Sequence, residues 1–140
     1  YGKAFEGMAK VRDASYPGLS NKYDHGYKVT TITGLSSKKK QPIAFYDHVH
    51  SPHELDYLSV NNITNIGVRR ISEHLKPYEG MFVGDRGYDD IKFMKMIHEL
   101  NQYFLVRMHN NRWLIFGKDR VKAFDKAKTV KGKVIVPASK

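Results

Sequence analysis

Apolar positions change their spacing along this chain, and each spacing predicts a different element. Residues 27–33 are rich in β-branched side chains and stop at Gly34, and residues 42–50 form the next extended run. Joined by a loop carrying Lys38, Lys39 and Lys40, they predict an antiparallel hairpin. The period then becomes helical: Leu55, Leu58, Ile63, Ile66, Ile71 and Leu75 form one apolar stripe. Ser51 as cap, Pro52 in the first turn and Glu54 as capping-box acid mark its start, Pro77 stops it, and Gly67 weakens its middle slightly. Residues 80–84 predict a short apolar strand. Asp89 or Asp90 then caps a second helix with Ile91, Met94, Ile97 and Leu100 on one face, and residues 103–108 form a compact strand. The order strand, strand, helix, strand, helix, strand predicts an α/β protein, a mixed sheet with helices packed on its faces.

The two ends are less regular. Residues 1–26 read as loop with short strand pieces at most. Past Asn110 and Asn111 the pattern becomes two short strands, residues 113–117 and 133–137, with a polar lysine stretch between them and no helix to follow. A soft boundary near Asn110 therefore separates an α/β part, 1–110, from a basic, β-rich part, 111–140.

Composition narrows the class. The 140 residues have room for one core, and 41% hydrophobic with 12% aromatic content fits a folded soluble domain. There is no cysteine, hence no disulfide frame or thiolate metal site, and the amino end reads as neither a signal peptide nor a membrane span. A reducing, intracellular setting and no membrane partner are expected. The 24 Lys plus Arg against 14 Asp plus Glu leave a net charge of +10. Such an excess favours a polyanion such as nucleic acid, because neutralised phosphates release counterions; the plainer alternative is a basic, solvated surface. From Lys118 onward the basic residues are Lys118, Arg120, Lys122, Lys126, Lys128, Lys131, Lys133 and Lys140, against Asp119 and Asp125, so this end suits a phosphate backbone. Lys38, Lys39 and Lys40 read better as a solvated hairpin tip.

The chemistry concentrates at Gly84-Asp85-Arg86-Gly87-Tyr88-Asp89-Asp90. An apolar strand delivers Asp85 to its carboxyl end, where α/β sheets gather ligands, and the flanking glycines are expected to leave open space there. The structural alternative is a turn or helix cap. Arg107 leaves the next apolar strand near the same edge, either to touch phosphate or as an ordinary surface arginine. Arg86 has two readings, steadying phosphate or pairing with Asp89. Asp89 and Asp90 fit helix capping better than a second catalytic pair. His48 and His50 share a strand face, with His53 nearby, but no cysteine completes a tetrahedral site. Exposed or packing histidines, and no structural zinc, are expected. Trp113 and Tyr103 are expected in core or interface packing rather than stacked on unpaired bases. None of Tyr1, Tyr16, Tyr23 and Tyr27 is marked as a nucleophile.

Four stretches carry a family resemblance: Glu6-Gly7-Met8-Ala9-Lys10-Val11-Arg12-Asp13, His25-Gly26-Tyr27-Lys28-Val29, Val83-Gly84-Asp85-Arg86-Gly87-Tyr88-Asp89 and Phe104-Leu105-Val106-Arg107. In these the chain resembles the DDE transposases of bacterial insertion sequences, the cut-and-paste type with a ribonuclease-H-like catalytic core. The resemblance implies that residues 1–110 are part of that core and that 111–140 begin a β-rich insertion. It implies three carboxylates, of which Asp85 matches the second; the first and third would lie before Tyr1 and beyond Lys140, making this an internal fragment, inactive alone. It further implies two Mg2+ ions, with Mn2+ as a substitute, held by Asp85 and the other acids. The partners implied are double-stranded DNA, both transposon ends and target, and a second copy in the active dimer. Arg107, Arg86, Arg112, Lys118, Arg120 and Lys122 are the DNA-facing candidates, and the location implied is the bacterial cytoplasm, at the nucleoid. The alternatives are a non-catalytic nucleic-acid-binding domain and a ribonuclease-H-like nuclease that cuts without joining.

Overall fold

The computed structural model describes residues 7–12, 23–35 and 41–129. The expected lysine loop at 38–40, the strand at 133–137, and Tyr1 and Tyr16 lie outside them. The protein is mixed α/β, built of small antiparallel and parallel sheets with helices, in two compact units, Tyr1–Glu73 and His74–Lys140. The composition change near Asn110 falls inside the second unit.

In the first unit β1 (Ala9–Arg12) pairs antiparallel with β2 (Tyr23–Gly26), the short strand pieces allowed by the sequence. The expected hairpin is present as β3 (Lys28–Leu35) against β4 (Pro42–His50), with Lys28 opposite His50 and Leu35 opposite Pro42. Its register shifts between Ile32 and Thr33, which face Tyr46 and Ala44, so Phe45 is the extra residue of a bulge. Gly34 makes that bulge possible, because a β-carbon there would lie 2.0 Å from the Phe45 ring.

Helix α1 (Val60–Ser72) starts eight residues later than the cap at Ser51 predicts, because the capping groups of residues 51–54 are spent on a local turn. The Ser51 N–H bonds the Glu54 carboxylate at 3.0 Å, as a capping box requires, but the Ser51 hydroxyl is given to the Gly7 carbonyl and accepts from the His53 N–H instead of a helical one. Leu55 and Leu58, counted in the apolar stripe, are exposed. Ser59 provides the cap actually used, accepting from the Asn62 N–H at 3.1 Å. The buried face is Ile63, Thr64, Gly67, Val68 and Ser72, with Ile66 39% exposed. Its two hydroxyls are satisfied within the helix, Thr64 on the Val60 carbonyl and Ser72 on that of Val68. Gly67 lets the helix approach the hairpin, since a β-carbon there would stand 2.6 Å from Tyr46 Cδ1 and 2.8 Å from Ile32 Cδ1.

The second unit opens with a β-α-β module. Strand β5 (Met81–Gly84), a short 3-10 turn (Arg86–Tyr88), α2 (Ile91–Glu99) and β6 (Tyr103–Val106) follow in order, and β6 lies parallel to β5 with Gly84 opposite Val106. A parallel pair needs such a crossover, and a helix supplies it. The buried side of α2 is Phe93, Met96 and Ile97; of the expected stripe Ile97 is fully buried while Ile91 is 55% exposed. Asn101, with φ of 54°, ends the helix in the left-handed conformation, after which buried Gln102 accepts from the Gly80 N–H at 2.8 Å and donates to the Lys76 carbonyl at 3.0 Å. That amide thereby ties the lead-ins of both strands together.

Beyond β6 come β7 (Trp113–Phe116) and β8 (Asp119–Lys122), an antiparallel hairpin turning at Gly117 with φ of 62°. Here the structure corrects the expectation of no further helix: α3 (Ala123–Thr129) follows directly. Alanine and lysine favour helix, Asp125 lies in the first turn, Lys126 and Lys128 lie in the last, and the Ala123 N–H is anchored on the Arg112 carbonyl at 2.7 Å.

Candidate active site

Asp85 follows the last residue of β5 and is exposed. Its Oδ1 accepts the Gly87 N–H at 2.9 Å, and its carbonyl accepts the Tyr88 N–H at 3.1 Å. The cap reading of Asp85 is present, with one oxygen on the 3-10 turn, and Asp85 makes no ion pair among the described residues. The open space expected beside Gly84 is occupied. Tyr88 folds back so that a β-carbon on Gly84 would meet its side chain at 3.0–3.2 Å, and the Tyr88 ring rests 5.1 Å from that of Phe93. Glycine at 84 admits the tyrosine.

Arg107 reaches the same edge. Its N–H bonds the Gly84 carbonyl at 3.2 Å, continuing the parallel ladder by one residue, so Asp85 and Arg107 leave adjacent strands side by side. Arg107 is exposed; Arg86 is half-buried, and its Nε is buried without a hydrogen-bond partner among the described residues.

The acids after Asp85 have separate roles. Asp90 caps α2, accepting the Lys92 N–H at 2.8 Å. Asp89, a capping candidate in the sequence, instead has no side-chain surface exposed and is held by Arg112, with Nη2 at 2.7 Å and Nε at 2.9 Å from Oδ1, while Oδ2 accepts the His109 N–H at 2.7 Å. Arg112 Nη2 also donates to the Asp89 carbonyl. The partner of Asp89 is therefore Arg112 and not Arg86. Burial opposes the Asp89 charge most strongly, but the hydrogen bonds from Arg112 and His109 and the guanidinium charge together outweigh it and keep the carboxyl below its ordinary range. Asp89 is thus a buried anion with its acceptors filled, unsuited to a metal.

Arg112, Trp113 and Arg120 belong to an open hollow of about 810 Å3 that also touches Asp89, Ile91 and His109; Asp85 does not line it. Trp113, expected in packing, is 47% exposed, with the Arg120 guanidinium 4.7 Å and the Lys122 ammonium 5.7 Å from its ring centre. Tyr103 is 51% exposed and leans on Tyr78 at 5.2 Å. Lys118 is exposed at the hairpin turn. Of the DNA-facing candidates, Arg86 and Arg107 lie at the edge beside Asp85, Lys118, Arg120 and Lys122 lie on the β7–β8 hairpin, and Arg112 is committed to Asp89.

The histidines of β4 pack by stacking. His48 lies 6.2 Å from Tyr46 and 6.0 Å from His50, and His50 lies 5.8 Å from Tyr57. His50 is fully buried, its Nε2 is 3.0 Å from Thr30 Oγ1, and its Nδ1 has no hydrogen-bond partner among the described residues. His53 is exposed.

Among the described residues no group of three or more His, Asp or Glu side chains is gathered as a metal site, and no helix is long and apolar enough to cross a membrane. Comparison of the chain with family models, curated proteins and solved structures gives no match.

Proposed function

We propose that this chain is part of the ribonuclease-H-like catalytic domain of a DDE transposase, contributing Asp85 to a Mg2+ site that cuts and joins DNA. One observation carries the reading: Asp85 stands exposed at the carboxyl end of β5, with no ion pair among the described residues and with Arg107 beside it on the neighbouring strand. A carboxylate there has one oxygen committed to a turn and another for a hard cation, while the neighbouring arginine suits phosphate. Mg2+ would stabilise charge on the reacting phosphate. Asp89 and Asp90 are committed elsewhere, so the reading requires two further carboxylates, which it assigns to segments flanking residues 1–140. Exposed Lys118, Arg120 and Lys122 add cationic surface for the DNA backbone. The ribonuclease-H-like sheet, the dimer and the bacterial nucleoid location are parts of this same proposal.

The test is Mg2+-dependent nicking of transposon-end DNA by the transposase carrying this chain. Asp85→Ala should abolish nicking and leave DNA binding intact; nicking retained by that variant removes Asp85 from the chemistry.

A second reading, a nucleic-acid-binding domain without catalysis, is favoured by one observation. The open hollow and the cationic aromatic surface meet at Trp113 and Arg120, and Asp85 does not line that hollow. DNA affinity unchanged by Mg2+, with no nicking by the intact protein, would support it instead.

A further inference from the structure

We infer that Arg112 is a positioning residue for Asp85, acting through Asp89, so that the loop entering the β7–β8 hairpin sets where the candidate metal-ligating carboxylate points. The inference rests on the reading of Asp85 as a metal ligand. Five residues separate Asp85 from the start of α2; the Tyr88 ring rests on Phe93 and Asp90 caps the helix, while the backbone between them is held by short turns. The 3-10 turn contributes the Tyr88 N–H to the Asp85 carbonyl at 3.1 Å and the Asp89 N–H to the Arg86 carbonyl at 3.3 Å. Asp89 itself, at φ −72° and ψ 63°, is the centre of an inverse γ-turn closed by the Asp90 N–H on the Tyr88 carbonyl at 2.7 Å. Such single-bond turns relax readily unless something outside fixes them.

Arg112 supplies that fixture. It grips the Asp89 carboxylate through Nε and Nη2 and the Asp89 carbonyl through Nη2, so both side chain and backbone of the γ-turn centre are held by one planar group. His109 closes the other carboxylate oxygen. At the opposite end of the same turn, the Gly87 N–H grips Asp85 Oδ1. The path from guanidinium to Asp85 is thus continuous in hydrogen bonds and short backbone steps. Arg112 also carries α3 on its carbonyl, so a displacement of hairpin or helix reaches Asp85 through the same residue. An arginine that served only to pin two loops together would leave the Asp85 carboxylate unaltered on substitution.

The experiment uses the full-length protein carrying this chain, so that the flanking carboxylates are present, with its Arg, Gly, Phe and Ile backbone amides labelled for NMR and Mn2+ as the probe. In the wild type, Mn2+ broadens the Arg86 and Gly87 signals, and Asp85→Asn removes the effect. Arg112→Gln is expected to need about tenfold more Mn2+ for the same broadening, as loss of a group supporting a ligand does, with Arg112→Lys in between and the Phe93 and Ile97 amides of α2 unmoved. Without metal, the Gly87 amide, which donates to Asp85 Oδ1, should exchange with solvent faster in Arg112→Gln than in wild type. If Arg112→Gln loses the α2 signals, Arg112→Lys, which keeps a cation for Asp89, takes its place with the same direction of change expected. An unchanged Mn2+ response and an unchanged Gly87 exchange rate in these variants overturn the positioning role and leave the metal reading standing. No Mn2+ response in the wild type overturns the metal reading and the inference with it.

Discussion

Arg112 reaches back 23 residues to grip Asp89, placing a guanidinium against a carboxylate whose side chain has no exposed surface. Removing either partner leaves the other unmatched. Arg112→Ala is therefore expected to destabilise the second unit by about 3 kcal/mol, because it strands a buried anion. Asp89→Ala should also destabilise, and the double variant should lose less than the sum of the two. Urea denaturation of the three variants checks this; strictly additive losses would show that the two side chains do not support each other.

The same pair sets an acid limit. The Asp89 carboxyl titrates below its ordinary 3.8 in the folded protein, so its contribution is present above that value and is lost as the pH falls through the lower, folded one. Stability followed by circular dichroism should decline more steeply below pH 3.8 in wild type than in Asp89→Asn. Parallel curves would be inconsistent with an ionised, paired Asp89.

His50 acts nearer neutrality. Burial first, then the charges of His48 and Lys28, lower its pKa below 6.5, with Glu54 pulling the other way and the Tyr57 ring stacked on it. A lowered folded pKa means that neutral His50 contributes fully above pH 6.5, and that this contribution disappears as the pH falls through the folded value. Wild type should therefore lose stability on acidification below pH 6.5 while His50→Gln stays flatter, and the His50 ring protons should titrate below 6.5. A His50 ring that titrates at 6.5 or above would refute the burial argument.

Gly67→Ala tests the packing of α1. Alanine is the better helix former by about 1 kcal/mol, but its methyl would enter the space of Tyr46 and Ile32, where overpacking costs about 1–3 kcal/mol. A net loss of about 1 kcal/mol is expected from chemical denaturation. A more stable variant would mean that the helix does not approach the hairpin this closely.

DNA binding should respond to salt. Alanine at Lys118, Arg120 or Lys122 is expected to weaken duplex affinity at low salt and to reduce the slope of log affinity against log salt by about one for each phosphate left without its cation. Fluorescence anisotropy over a salt series reads both. Substitutions that leave the slope unchanged would remove that side chain from the interface.

Local pattern made the β3–β4 hairpin and the β5-α2-β6 module legible, because β-branched runs, turn residues and helical spacing act over neighbouring residues. Asp85 at the end of β5 was legible for the same reason. The start of α1 was not, because Ser51 carries every capping signal while its hydroxyl is drawn to Gly7, 44 residues away in sequence. Nor was the partner of Asp89: Arg86 is near in sequence, but the β6–β7 loop brings Arg112 instead. Gly67 read as a weakness of the helix because the residues needing its missing side chain, Tyr46 and Ile32, belong to another element. Of the two packing roles expected for Trp113, burial in the core does not hold, because an aromatic in an apolar run resembles core and only the hairpin pairing sets Arg120 and Lys122 over its half-exposed ring.

Adjacent aspartates at 89 and 90 look interchangeable in the sequence, yet they tolerate different replacements. Position 90 asks only for an oxygen near one backbone N–H, so serine, threonine or asparagine can stand in. Position 89 asks for two acceptor atoms and a full negative charge on a side chain with no exposed surface, a combination that no neutral side chain supplies in full. A saturation library across the two codons should therefore return a varied set at 90 and almost nothing but the original acid at 89.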